Sequence, residues 1–104
     1  KMSFSACEQR LIDRLAELDR SQIIVVGIEA HVCVQQTTLD LLRMGYAVYV
    51  CTDAVGSRRT LDAAVAFERM RQAGAIVTTT ESVTFELLGR AGTEAFKKIL
   101  PIVK

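Results

Sequence analysis

The chain has 104 residues, enough for one domain, and a formal net charge of +1. Half of its residues are apolar and about a quarter are charged, as in an ordinary globular protein; nothing in this balance points to nucleic acid or an anionic membrane as a partner. No apolar run approaches the roughly 20 residues that span a bilayer. The first residues have no apolar segment behind them that would make a secretory signal. Lys rather than Met stands at position 1, so a processed or partial polypeptide is expected.

Residues 7–20 place Leu11, Leu15 and Leu18 at helical spacing beside Ile12, with most charges elsewhere, and predict an amphipathic helix. Residues 23–28 are a continuous apolar, largely β-branched run, the pattern of a parallel strand buried on both faces. Helical spacing returns over 31–44 and stops at Gly45. A second apolar strand is predicted over 46–52. A helix over 60–73 carries Ala63, Ala66, Phe67 and Met70 on one stripe. A short third strand covers 75–78. Thr78 with Glu81 has the spacing of a capping box for a helix at about 79–88, closed by Gly89. A last helix starts after Thr93 and is expected to stop near Pro101, whose ring disfavours continuation.

The predicted order is α-β-α-β-α-β-α-α. Such alternation implies a three-layer α-β-α fold with a parallel, Rossmann-like sheet and helical crossovers. Three parallel strands are few for a sheet that needs helices on both faces and protected edges. Something is therefore expected to complete it.

Ligands bind beyond the carboxyl ends of such strands, which singles out residues 27–33, 52–58 and 78–82. Cys33 lies just past a strand, at or near a helix start. The helix dipole favours a thiolate there, and backbone N–H groups can hold an oxyanion. A small buried residue packing helix on sheet would have the same pattern. His31, the single histidine, is two residues from Cys33, a spacing that does not bring two side chains face to face; it reads as a cap or loop residue. Asp53 follows a strand and is a candidate for the pocket mouth or for a turn cap. Arg58 and Arg59 suit a substrate carboxylate or a solvated loop equally. Cys7 and Cys51 read as core thiols. Three cysteines without a Cys-x-x-Cys pair indicate neither a zinc site nor a disulfide framework. No metal or cofactor is expected, and free thiols fit a reducing compartment, the cytoplasm first.

The stretch Gly27-Ile-Glu-Ala-His-Val-Cys-Val34, continued by Gln-Gln-Thr-Thr-Leu-Asp-Leu-Leu42, closely resembles the nucleophile motif of isochorismatase-like cysteine hydrolases. Its wording is most similar to the isochorismatase domain-containing subgroup. The blocks Asp53-Ala-Val-Gly-Ser-Arg58, Arg69-Met-Arg-Gln-Ala-Gly-Ala75 and Thr79-Thr-Glu-Ser-Val83 extend the likeness over nearly the whole chain.

The resemblance implies a doubly wound, mostly parallel sheet of about six strands, of which this chain is expected to supply the carboxyl-terminal half, about three strands of one domain. It implies Cys33 as nucleophile and Lys1 as the accompanying lysine. It also implies a cis peptide between Ile28 and Glu29, and an oxyanion hole from the N–H groups of Glu29 and Cys33. Phe4, His31 and Asp53 are pocket candidates. The family's catalytic Asp would lie upstream of Lys1, in a missing half supplied by the same or another chain; without it this piece is expected to be inactive. The substrate would be a small molecule with an amide or related C–N bond, and a homo-oligomer is expected. Two alternatives stand beside this: an isochorismate-type vinyl-ether hydrolase, which needs no nucleophilic Cys, and a non-catalytic scaffold that kept the fold. An ordinary thiol titrates near 8.5 and an activated one well below, which separates the scaffold from the cysteine hydrolase.

Overall fold

The structure is a computed structural model that describes residues 2–103; Lys1, one of the two catalytic candidates, lies outside the described residues. In chain order it contains α1 (Gln9–Leu18), β1 (Gln22–Ile28), a single π-helical turn (Ala30–Val34), α2 (Gln35–Arg43), β2 (Ala47–Gly56), α3 (Thr60–Gln72), β3 (Ile76–Thr78), α4 (Thr80–Leu88) and α5 (Glu94–Val103). The strands form one parallel sheet in the order β1-β2-β3. The alternation of apolar strands and amphipathic helices thus yields the expected α/β architecture.

One face of the sheet is closed. Val48 and Val50 of β2 meet Leu41 of α2 and Ala66 and Met70 of α3, all at most 2% exposed, while Ile23 and Val25 of β1 pack against this core. Each large side chain so buried contributes about 1.5–3 kcal/mol. Leu15 brings α1 to the same cluster. The other face carries α4 across part of its width. There Ile24, Tyr49 and Gln22 of the strands and Val83, Glu86 and Leu87 of α4 line an open groove of about 220 Å³.

Four details differ from the sequence reading. First, β1 is not buried on both faces: Ile24, Val26 and Ile28 are 45%, 56% and 76% exposed, because α2 and α3 cover the opposite face and β1 is an edge strand. Second, β2 does not end at Thr52. The pairing runs Val25↔Val50 and then Gly27↔Val55, so β2 bulges and rejoins the ladder up to Gly56. Asp53 therefore lies within a strand rather than after one. Third, Thr79, not Thr78, caps α4, its hydroxyl accepting the Ser82 N–H at 3.2 Å. Fourth, α5 continues through Pro101 to Val103; the ring's own φ is helical, and the missing N–H removes one bond from a final turn.

Among the described residues, no helix is long and apolar enough to cross a membrane.

Candidate functional site

The carboxyl end of β1 is shaped by backbone. Gly27 has φ of +126°, a conformation that residues with a Cβ rarely adopt, and it stands where the β1–β2 register jumps. The next peptide but one, Ile28–Glu29, is cis. The chain then enters the π-helical turn, whose Val32 and Val34 N–H groups both donate to the Glu29 carbonyl, at 3.2 and 3.1 Å. Ala30 (0% exposed) and Val34 (5%) anchor the turn in the core. Cys33 lies between these two anchors, half-buried.

The helix carrying Cys33 thus begins earlier than a regular α-helix would. The Gln35 N–H already bonds back to Ala30, so turn and α2 form one helical run with Cys33 in its first turn. The first N–H groups of such a run lack intrahelical partners and carry the positive end of the dipole.

Opposite the turn is the β2–α3 connection, residues 57–59. Glu29 reaches it: its Oε2 accepts from the Arg58 backbone N–H at 2.9 Å and from Arg58 Nε at 3.2 Å. That backbone hydrogen bond is the main effect that holds the Glu29 carboxyl below its ordinary range; burial opposes it, and the Arg58 charge and side-chain bond add to the lowering. His31 reaches the same connection, with Nδ1 2.8 Å from Ser57 Oγ and Nε2 3.8 Å from Asp62 Oδ2 on α3. Ile28, Glu29, Gly56, Ser57 and Arg58 line an open cavity of about 260 Å³.

The remaining candidates are placed as follows. Asp53 holds α4 by its first residue, accepting from Thr80 Oγ1 at 2.6 Å and from the Thr80 N–H at 2.8 Å; the hydroxyl first and the N–H second hold its carboxyl below the usual value. Its geometry is that of a cap. Phe4 is 58% exposed. The segment behind it is tied to α2, with the Ala6 N–H donating to Thr37 Oγ1 at 2.8 Å and Cys7 Sγ 3.8 Å from the Thr37 carbonyl. Arg58 is held by Glu29, while the Arg59 side chain is exposed at the N-cap of α3.

Cys51 is buried and Cys7 half-buried. Burial pushes both thiols up, aided by the Asp53 charge for Cys51 and by Asp40 for Cys7, where a bond with Ser5 partly opposes it. Ser57, Asp62 and Thr80 were not singled out from sequence. Their partners lie 26 to 31 positions away along the chain, and no local pattern announces such pairs; a first-turn acid at Asp62 was the one visible signal.

An isochorismatase domain model matches residues 1–82. Isochorismatase family protein 1B of Dictyostelium discoideum is 45% identical over the whole of this chain, which corresponds to 52% of that protein. The structure described as MAR1 ribonuclease from Caenorhabditis elegans superposes with a TM-score of 0.91 at 45% identity, over 99% of this chain and 53% of that one. A pyrazinamidase of Pyrococcus horikoshii in complex with zinc superposes with a TM-score of 0.72 at 29% identity, over 76% of this chain and 45% of that one. The chain therefore spans about half the length of the relatives it matches. Among the described residues, no three His, Cys, Asp or Glu side chains come together to hold a metal.

Proposed function

The chain belongs to the isochorismatase domain family, and from that premise we propose that the complete protein is a hydrolase in which Cys33 attacks an amide or related C–N bond of a small molecule. An Asp from the rest of the domain takes the Cys33 proton, and Lys1 steadies the resulting charge. The thiolate adds to the carbonyl carbon, and the N–H groups of Glu29 and Cys33 hold the oxyanion. The C–N bond breaks as the departing nitrogen takes back the proton. Water then releases the acyl group from sulfur.

The observation that carries this reading is the position of Cys33. It is half-buried in the first turn of a helical run, beyond the carboxyl end of β1, whereas Cys7 and Cys51 are thiols pushed up by burial. The pyrazinamidase likeness adds support for amide chemistry. The exposed apolar face of β1 fits coverage by the rest of the domain, in the same or another chain, within a homo-oligomer. The free thiols fit a reducing compartment such as the cytoplasm. Turnover of a panel of small amides, pyrazinamide included, tests the reading: Cys33→Ala should abolish it with the fold intact, and undiminished turnover would sink it.

A second reading rests on the ribonuclease description of the 45% identical nematode protein. On it, the cavity beside Arg58, whose side chain is 83% exposed, meets a phosphodiester. Cleavage of a labelled RNA by the Cys33→Ala variant, without amide turnover by the parent, would select it.

A further inference from the structure

We propose that His31 is a positioning residue for Cys33: through Ser57 and Asp62 it fixes the nucleophile's turn against the β2–α3 connection. This rests on the reading of Cys33 as the nucleophile.

The β1–β2 ladder ends at the pair Ile28–Gly56. Beyond it the two segments diverge, one into the turn that carries Cys33 and the other into α3. Burial of Ala30 and Val34 holds the turn from the core side. From the other side come two side chains, one before and one after Ala30. Glu29 takes Arg58, and His31 takes Ser57 at 2.8 Å with Asp62 at 3.8 Å. Three elements therefore meet on one imidazole: the turn, the connection and the first turn of α3.

The ring's two nitrogens divide the work. With the proton on Nε2 and facing Asp62, Nδ1 accepts the Ser57 hydroxyl; with both nitrogens protonated, Nδ1–H donates to that same oxygen and the cation faces Asp62. Ser57 can donate or accept, so the link survives either state. The charged groups around the ring are Asp62 of α3, Glu29 of its own segment and, across Glu29, Arg58. Catalysis punishes small misplacements steeply, with an ångström able to cost about a hundredfold. A half-exposed turn therefore gains from a second anchor. The His31 side chain is 26% exposed, so most of the ring is enclosed between the turn and the connection it bonds.

The test uses the full-length protein and iodoacetamide, with alkylation rates of Cys33, Cys7 and Cys51 read separately by peptide mass between pH 5 and 9. His31→Ala should slow Cys33 about tenfold at pH 7 and converge with the parent at high pH, as the thiolate loses its aligned surroundings. His31→Asn, which places an amide where Nδ1 stands, should restore the rate to within about twofold. His31→Gln, which reaches toward Asp62 instead, should restore less. Ser57→Ala tests the same link without altering the turn and should slow Cys33 in the same direction.

An unchanged Cys33 profile in both His31→Ala and Ser57→Ala overturns the inference. So does equal acceleration of all three cysteines in His31→Ala, which would mark a general support of the fold. If Cys33 of the parent reacts no faster at pH 7 than a small free thiol, the nucleophile reading falls and this inference with it. A fast parent Cys33 with unaffected variants removes the His31 role and leaves the nucleophile standing.

Discussion

The two faces of the sheet are built from the same kinds of residue and end in opposite conditions. On one, Val48, Val50, Leu41, Ala66 and Met70 are sealed together at 2% exposure or less. On the other, Ile24, Val26 and Ile28 of the edge strand are 45–76% exposed, with α4 covering part of the surface beside them. Apolar composition thus specifies that both faces of β1 are meant for burial, whereas only the helices present decide which face is buried within these residues. The candidate site lies at the end of the closed face, where the turn bearing Cys33 is anchored by Ala30 and Val34.

The contrast can be broken by substitution, and the largest effect should fall on the closed face. Met70→Ala removes a side chain with 0% exposure and should cost about 2–5 kcal/mol, read from denaturant unfolding. A loss below 1 kcal/mol would mean that this face is less tightly packed than described. Next comes Gly27→Ala, at the boundary between the strand and the site. A Cβ there would meet nothing within 4 Å, yet φ is +126°, so the cost of about 1–3 kcal/mol is conformational rather than steric. A stability equal to the parent's would show that the backbone relaxes to another conformation.

A smaller effect belongs to Asp53, whose carboxyl is held below its ordinary value by Thr80. A depressed folded-state value means the stabilisation is complete above the unfolded value, near pH 4. It is lost as pH falls through the folded value. Asp53→Asn should lower stability at pH 7, where that contribution is complete, and should converge with the parent below about pH 4, which flattens the acid limb of the stability profile. An unaltered acid limb would remove Asp53 from the account. The smallest effect is expected for Ile24→Ala in a chain limited to these residues, within about 0.5 kcal/mol. In full-length protein the same substitution should cost about 2 kcal/mol or more if the open face is covered. Equal, small losses in both contexts would leave the face uncovered.

Much of the fold was legible because it follows from local periodicity. The stripe of Ala63, Ala66, Phe67 and Met70 names both a helix and its buried side, and Ala66 and Met70 are indeed fully buried. The burial of β1 was misread because a continuous apolar run records the environment a strand is suited to, not which covering elements lie within a given stretch. The extension of β2 past Thr52 was hidden because Asp53 looks like a turn residue; the strand resumes after a bulge, with Val55 buried at its rejoined end. At the site, Cys33 was visible from its place between strand and helix, and the Ile28–Glu29 bond was expected from family resemblance rather than spacing. The pairs Glu29–Arg58 and His31–Ser57 join residues 26 or more positions apart, and such contacts have no periodic signature.

The central claim is that Cys33 forms a covalent acyl intermediate. Its most direct test is to quench full-length protein during turnover of a small amide and map the added mass by peptide analysis. The account predicts an acyl adduct on the peptide carrying Cys33 and none on those carrying Cys7 or Cys51. Steady turnover with no adduct on Cys33, and with the Cys33→Ala variant equally active, would contradict it.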